Sequence, residues 1–212
     1  MKRRTLDIIT SLGGLGLALL LVAAGLVLTS NANFAKTYVR EQLGQQKITF
    51  KTVDTLTDEE KKAPCLVKYA GQPLVSGKQA ECYANDFIGL HVATATKGLT
   101  YAELGAPQAA LRTKVADATK SNDPALADLT KQYTDVTATR DTAFKGETLR
   151  GLLLTSFGFS ELGRKGEQAS TVAYAAAALL LLLALAGLAH AFRTAKEKAL
   201  AAPEQIRTTS KA

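Results

Sequence analysis

The sequence has few of the residues and motifs from which most active sites are built. It contains only two histidines, His91 and His190, and only two cysteines, Cys65 and Cys82. It has no Walker A phosphate loop, no dinucleotide-binding glycine fingerprint and no GxSxG turn. The chain is therefore not expected to be a P-loop nucleotidase, a Rossmann-type oxidoreductase or a hydrolase with a GxSxG nucleophile.

Charged residues are absent from two long stretches, 8–28 and 171–192. Each stretch has about 20 residues without Asp, Glu, Lys or Arg, the length of helix that crosses a bilayer core. A soluble amphipathic helix would carry a polar stripe, and neither stretch has one. We therefore predict transmembrane helices over 8–29 and 171–192. A transport pathway is not expected, because the spans contain no internal charge.

The first apolar run has an alternative interpretation as a cleaved signal peptide. Lys2, Arg3 and Arg4 would form its basic n-region, and the letters SNA ending at Ala32 resemble a cleavage site. The run is longer than the usual h-region of roughly 7–15 residues, which favours a retained anchor. No cysteine follows the run, so a lipoprotein anchor is not expected there.

The formal net charge of +7 is concentrated outside the two apolar runs and their connecting region. Residues 1–7 carry a net charge of +2 and residues 193–212 carry +3, whereas residues 30–170 carry only +2. This distribution does not suggest nucleic-acid binding, and basic flanks mark the cytoplasmic side of a membrane protein. We predict a plasma-membrane protein with a basic tip (1–7) and a basic tail (193–212) in the cytoplasm, and residues 30–170 outside it.

Both cysteines lie in the region predicted to be extracytoplasmic. An even number of cysteines outside the cytoplasm predicts a disulfide, here Cys65–Cys82. The alternative is a pair of free buried thiols. No metal site is expected, because zinc would need a second cysteine pair or a nearby histidine pair.

Capping motifs and apolar periodicity predict that residues 30–170 form one compact, mainly α-helical domain with little or no β structure. Thr57–Glu60, Ser76–Gln79 and Thr100–Glu103 each match the capping-box pattern. Residues 47–53 alternate like a short strand, and we expect an extended segment there. The helices around Leu111 and Leu129 would form an antiparallel hairpin.

The helix after Ser76 carries an apolar stripe that we predict to face a core: Tyr83, Phe87, Ile88, His91 and Val92. A histidine on such a face is expected to be a core residue rather than a general base. The alternative is a ligand-binding sensor or a hydrolase site that joins His91 to Asp86 and Glu81. On an ideal helix these carboxylates do not converge on His91 without another element.

Residues 149–163 are apolar for a segment outside the spans, and they have two interpretations. The segment packs into the domain core, or it lies along the outer membrane surface. We favour the membrane interface, through Leu152, Leu153, Phe157 and Phe159. Gly158, Gly163 and Gly166 would let the chain turn into the second span.

Small residues within the spans permit close approach of helices. We predict helix packing at Gly14, Ala18, Ala184 and Gly187. These residues would serve either contact between the two spans or a face for another membrane protein.

Several phrases of the sequence carry a resemblance to a known family. They are YVREQLGQQKITF, CLVKYAGQPLVSGKQAECYANDFIGLHV, GLTYAELG and, before the second span, LRGLLLTSFGF. In this order they resemble an actinobacterial group of two-span envelope proteins, over nearly the whole chain. Members are often labelled aromatic ring-opening dioxygenases, an activity that needs an iron facial triad. Two histidines predicted to lie on opposite sides of the membrane cannot supply that triad.

The resemblance implies an actinobacterial origin and no established activity, and no cofactor is expected. We predict a non-catalytic accessory or scaffold subunit of an envelope complex, whose partners are the lipid bilayer and other membrane or envelope proteins. Small proteins of this shape also resemble accessory subunits of actinobacterial respiratory assemblies, which makes such an assembly a candidate complex.

Overall fold

The computed structural model describes residues 3–193, and the predicted tail beyond Arg193 lies outside them. Within this range the chain is mainly helical and has no strand, as predicted. Its helices are α1 (Arg3–Gln45), α2 (Asp58–Lys61), α3 (Pro64–Tyr69), α4 (Gly77–Cys82), α5 (Gly89–Thr96), α6 (Gly105–Ser121) and α7 (Leu126–Arg193). A 3₁₀ turn at Val53–Thr55 precedes α2, and a π-helical segment at Tyr83–Ile88 joins α4 to α5.

Helices α1 and α7 are much longer than the others, at 43 and 68 residues. Each contains a stretch long and apolar enough to cross a membrane, which confirms that the two apolar runs lie in long helices; the transmembrane bounds stay a prediction. Helix α7 also continues without a break through Gly158, Gly163 and Gly166, where the sequence suggested a turn. A single glycine lowers helix stability by only about 1 kcal/mol, and the leucine- and alanine-rich neighbours favour the helix.

The contacts within the chain divide it into two units. The first comprises the described residues 3–32 and 164–193, which carry the apolar runs of α1 and α7. The second is Asn33–Gly163, and it contains all the shorter helices.

In the first unit, small residues allow α1 and α7 to approach each other closely. Ala18 and Ala184 are buried. A Cβ atom built at Gly14 would lie 3.5 Å from the Cβ of Ala184, and one built at Gly187 would overlap the Ser11 hydroxyl. The four residues predicted for helix packing therefore lie where the two helices meet, as close small-residue packing requires. This placement favours contact between the two spans over a face left for another protein.

In the second unit, α1 and α7 contribute to a core completed by the short helices. The buried residues of this core are Val39, Leu43, Phe50, Leu56, Leu66, Leu74, Ala80, Cys82, Ala84 and Leu153. The extended residues 48–50 run antiparallel to 72–74 and form an isolated bridge. Its backbone bonds join Phe50 N to Gln72 O (3.0 Å) and Leu74 N to Ile48 O (2.8 Å).

The capping motifs form largely as the sequence predicts. The Thr57 box closes in both directions: Glu60 N donates to Thr57 Oγ1 (3.2 Å), and Thr57 N donates to a Glu60 carboxylate oxygen (2.7 Å). Thr100 and Glu103 exchange the same pair of bonds, but around a turn rather than at the start of a helix. The predicted hairpin consists of α6 and the beginning of α7, and Gln108 donates across it to the Thr137 hydroxyl (2.9 Å).

The contact between α5 and α7 depends on a glycine, and a second glycine on α7 provides a matched control. A Cβ atom at Gly146 would overlap the Cγ2 of Val92, whereas at Gly151 nothing lies within 4 Å. We expect Gly146→Ala to destabilise the second unit by about 1–3 kcal/mol, because the added methyl overpacks the contact. Gly151→Ala should stabilise it by up to about 1 kcal/mol through helix propensity.

Hydrogen exchange of the full chain in detergent micelles, read by mass spectrometry, measures both effects on the same peptides. Equal changes in hydrogen exchange for the two variants would show that Val92 does not pack against Gly146.

Candidate functional site

Three charged or titratable side chains meet at one end of a ladder of aromatic rings. Glu60 comes from α2, Lys51 from the extended segment before it and His91 from α5. Lys51 Nζ donates to Glu60 Oε1 at 2.8 Å, and His91 Nε2 lies 3.4 Å from the same oxygen. The carboxylate that the sequence could not place beside His91 is therefore Glu60, rather than Asp86 or Glu81.

Glu60 is buried, with 1% of its side chain exposed. Burial opposes ionisation, but hydrogen bonds from Lys51 and from the Thr57 backbone outweigh it and hold the pKa of Glu60 below its ordinary value. One carboxylate oxygen faces Lys51 and His91, and the other accepts the backbone N–H of Thr57. The arrangement gives Glu60 a structural role, because neither oxygen is open to a substrate.

Both ring nitrogens of His91 face groups of the protein. Nδ1 lies 2.7 Å from the carbonyl oxygen of Phe87, which can only accept, so Nδ1 carries the hydrogen. Nε2 is directed at Glu60, and a protonated ring would donate to both partners. The side chain is 49% exposed, although both nitrogens lie close to protein acceptors.

The ladder contains five rings in contact. Successive centroids are 5.6 Å apart for Tyr69–Phe50, 5.2 Å for Phe50–Tyr83, 4.6 Å for Tyr83–Phe87 and 4.4 Å for Phe87–His91. Burial, together with the negative charge of Glu60, raises the pKa of the Tyr83 hydroxyl. The ladder joins the hydrophobic core to the charged cluster.

The predicted core stripe thus extends from the core to the surface. Val92 is buried, Tyr83, Phe87 and Ile88 are half-buried against the core, and His91 is the most exposed of the five. His190, the other histidine, belongs to the first unit, where its Nε2 lies 3.9 Å from Asp7 Oδ2.

An arginine on α7 donates a hydrogen bond to the π-helical segment. The carbonyl oxygen of Ala84 accepts the backbone N–H of Gly89 and also Arg150 Nε, at 3.2 Å. Arg150 in turn donates to both carboxylate oxygens of Glu147 at 2.9 Å. A π turn adds one residue to the helical turn, so angles taken from an ideal α-helix do not apply across this segment.

The structure contains the predicted disulfide, which joins Cys65 of α3 to Cys82 at the end of α4. Asp86 Oδ2 lies 3.0 Å from Cys65 Sγ, but a disulfide sulfur has no hydrogen to donate, so this contact is not a hydrogen bond. The potential ligand atoms of Cys65, Cys82 and Asp86 lie within 4.8 Å of one another. Because both sulfurs are committed to the disulfide, neither is a thiolate that could bind a metal.

An apolar groove of about 440 Å³ lies in the second unit between the end of α1 and the middle of α7. Its lining consists of Tyr38, Val39, Gln42, Leu43, Gln46, Ile48, Leu149, Leu152, Leu153, Thr155, Ser156 and Phe159. The four residues predicted to lie at the membrane interface differ in their surroundings. Leu153 is buried in the core, Leu152 and Phe159 are exposed along the groove, and Phe157 turns its ring to Lys78 Nζ at 4.6 Å.

A second exposed apolar surface, which we call the hairpin patch, consists of Leu99 and Tyr101 from the segment before α6 and of Arg140 and Phe144 from α7. The side chains of Leu99, Tyr101 and Phe144 are exposed, and the two aromatic rings lie 5.7 Å apart. The Arg140 guanidinium lies 4.1 Å from the Tyr101 ring centroid. Its Nη1 donates to Gln108 at 2.6 Å and its Nε to the Tyr101 carbonyl at 3.2 Å.

Sequence reasoning missed Lys51, Glu60 and Arg150 as members of a shared arrangement. Glu60 lies in the run DEEKK at residues 58–62, whose composition is typical of a solvated helix face, although its third residue is the one that is buried. The available signal was the capping box, since a glutamate that bonds the Thr57 backbone is directed back toward the chain.

Comparison with known proteins does not assign a family. No protein-family model, curated protein or solved structure matches this chain. The likeness to two-span envelope proteins stays a prediction.

Proposed function

We propose that this protein is a non-catalytic accessory or scaffold subunit that is anchored in the plasma membrane and binds another envelope protein through the hairpin patch. The spans would be 8–29 and 171–192, with the second unit outside the cytoplasm and both termini inside. Basic flanks and the disulfide support this orientation. A respiratory assembly is one candidate for the complex.

The observation that carries the proposal is the exposure of two aromatic rings around an ordered arginine. Tyr, Phe and Arg are enriched in protein interfaces, and Tyr and Arg are among the residue types that most often dominate the binding energy. Phe144 is 54% exposed although it lies on a helix whose other face packs well. Within the described residues, no carboxylate pairs with Arg140. The partner that fits this patch has an apolar surface with a carboxylate placed opposite Arg140.

The second candidate function, a hydrolase or sensor at His91, has less support. A general base needs a nitrogen or oxygen within reach of a substrate proton. Glu60 is buried and both His91 nitrogens face protein groups. The pair is better suited to fixing α2 against α5 than to chemistry.

A pull-down from the native membrane, in a gentle detergent and read by mass spectrometry, tests the proposal. We expect at least one envelope protein to co-purify with the full chain. Phe144→Glu should lower its recovery roughly tenfold or more, because a charge replaces an interface aromatic. Leu162→Glu is the control, since Leu162 is 68% exposed on the same helix and lies outside the patch.

Recovery of the chain without any envelope protein would overturn the proposal. Equal recovery of the partner with Phe144→Glu and Leu162→Glu would overturn the assignment to the hairpin patch.

A further inference from the structure

We propose that the apolar groove between α1 and α7 binds one acyl chain of a membrane phospholipid. The groove shares no residue with the hairpin patch, so the inference is independent of the partner proposed above. It assigns a ligand class to a surface that the accessory role does not use.

The groove has no charged side chain in its lining. Eight of its residues are apolar or aromatic, and the other four are two glutamines, a threonine and a serine. The hydroxyls of Thr155 and Ser156 already donate to carbonyl oxygens of their own helix, at 2.9 and 3.2 Å. Because burying a charge or an unpaired polar group is unfavourable, such walls select an uncharged apolar occupant.

The size of the groove fits a narrow ligand better than a protein surface. Its volume of about 440 Å³ lies within the range of roughly 300–1,000 Å³ that is usual for sites of small organic molecules. Leu153 and Val39 form a buried floor, while Leu152 and Phe159 stand exposed above it. An acyl chain along the groove would cover these two side chains.

Two side-chain amides in the groove can bind the polar end of such a lipid. Gln42 lies in the last turn of α1, Gln46 lies in the turn that follows the helix, and both line the groove. Neither side chain bonds another described residue. Primary amides donate to ester carbonyl oxygens, so the pair suits the glycerol–ester region that continues from an acyl chain.

For a protein anchored in a membrane, phospholipid is the most abundant apolar ligand. Most of the lining residues belong to α1 and α7, the same two helices whose apolar stretches could cross a bilayer. A protein held in a bilayer meets acyl chains at a far higher effective concentration than any soluble apolar ligand.

The test uses the full chain reconstituted in phosphatidylglycerol vesicles that contain a phosphatidylglycerol with a diazirine in the middle of one acyl chain. After illumination, mass spectrometry maps the cross-linked peptides. We expect adducts on peptides covering 38–48 and 149–159, in addition to those on the apolar runs. Leu152→Glu should lower the groove adducts on the order of tenfold, because it places a carboxylate in an apolar site.

Leu162→Glu is again the matched control and should leave the groove adducts unchanged. Leu152 is 64% exposed, so its replacement leaves the core intact, which the disulfide and the circular dichroism spectrum of each variant verify. Adducts on the apolar runs should be equal in all three proteins.

Three results would overturn the inference: no adducts on the groove peptides, equal adducts in Leu152→Glu and Leu162→Glu, or loss of the co-purifying partner in Leu152→Glu. The last would make the groove a protein-binding surface. If Phe144→Glu loses that partner but keeps the groove adducts, both proposals are supported. The two proposals therefore fail on different results.

Discussion

Replacing Glu60 with alanine is expected to destabilise the unit Asn33–Gly163 by about 1–3 kcal/mol, from the loss of a capping-box bond and of a partly buried ion pair. The substitution removes the acceptor for the Thr57 backbone and leaves Lys51 without its partner. It also removes the carboxylate that lies 3.4 Å from His91 Nε2. Hydrogen exchange of the full chain, followed on peptides from α2 and α5, measures the loss.

The neighbouring Glu59 provides the control for this experiment. Its side chain is 64% exposed and, among the described residues, pairs with Lys62, three residues away. Exposed pairs of this kind contribute roughly 0–1 kcal/mol, so Glu59→Ala should change little. If the two alanine variants behave alike, the cluster around Glu60 does not stabilise the fold.

The same carboxylate makes stability depend on pH in a defined direction. The pKa of Glu60 is lower in the folded chain than its ordinary value of 4.5, so the folded state favours the ionised form. Its contribution is fully present above pH 4.5 and is lost as pH falls through the lower, folded pKa. Glu60→Gln should remove the contribution of the ionised carboxylate to the free energy of unfolding. Between neutral pH and pH values below 4.5, the variant should therefore lose less stability than the parent.

Removing the disulfide is expected to have the second large effect. Cys65 and Cys82 are separated by 17 residues, and closing a loop of that length stabilises a fold by about 3 kcal/mol in the chain-entropy model. Replacing both cysteines with alanine should therefore increase exchange throughout the core formed by α3 and α4. Reduction of the parent protein should produce the same pattern.

Intact mass under non-reducing conditions provides the direct check. The isolated chain should lack the two thiol hydrogens and should not react with a maleimide until it is reduced. Two reactive thiols in the untreated protein would refute the pairing and remove one support for the extracytoplasmic placement.

Local signals predicted much of the fold, because the physics behind them acts over a few residues. The apolar runs predicted the membrane-length stretches of α1 and α7, since bilayer thickness sets helix length. The pattern from Thr57 to Glu60 predicted a capping box, and that box is complete. The segment before the second span was less predictable, because the glycines that suggested a turn lie within one continuous helix.

The candidate sites depend on contacts between residues far apart in sequence, which periodicity does not reveal. His91 and Glu60 are 31 positions apart, and Tyr38 and Phe159 of the groove are farther still. The ideal-helix angles for Asp86 and Glu81 could not account for the π-helical segment that lies between Cys82 and Gly89. Arg150 of α7 donates to the Ala84 carbonyl of that segment across 66 positions of sequence, a contact that no local pattern reveals.

A photo-crosslinking amino acid at position 144 of the full chain, introduced in native membranes, tests the central claim most directly. The proposed accessory role predicts a covalent adduct with another envelope protein, identified by mass spectrometry. The same cross-linker at position 162 should not capture that protein. Adducts confined to lipid, or the same adducts from both positions, would contradict the claim that the hairpin patch binds a partner.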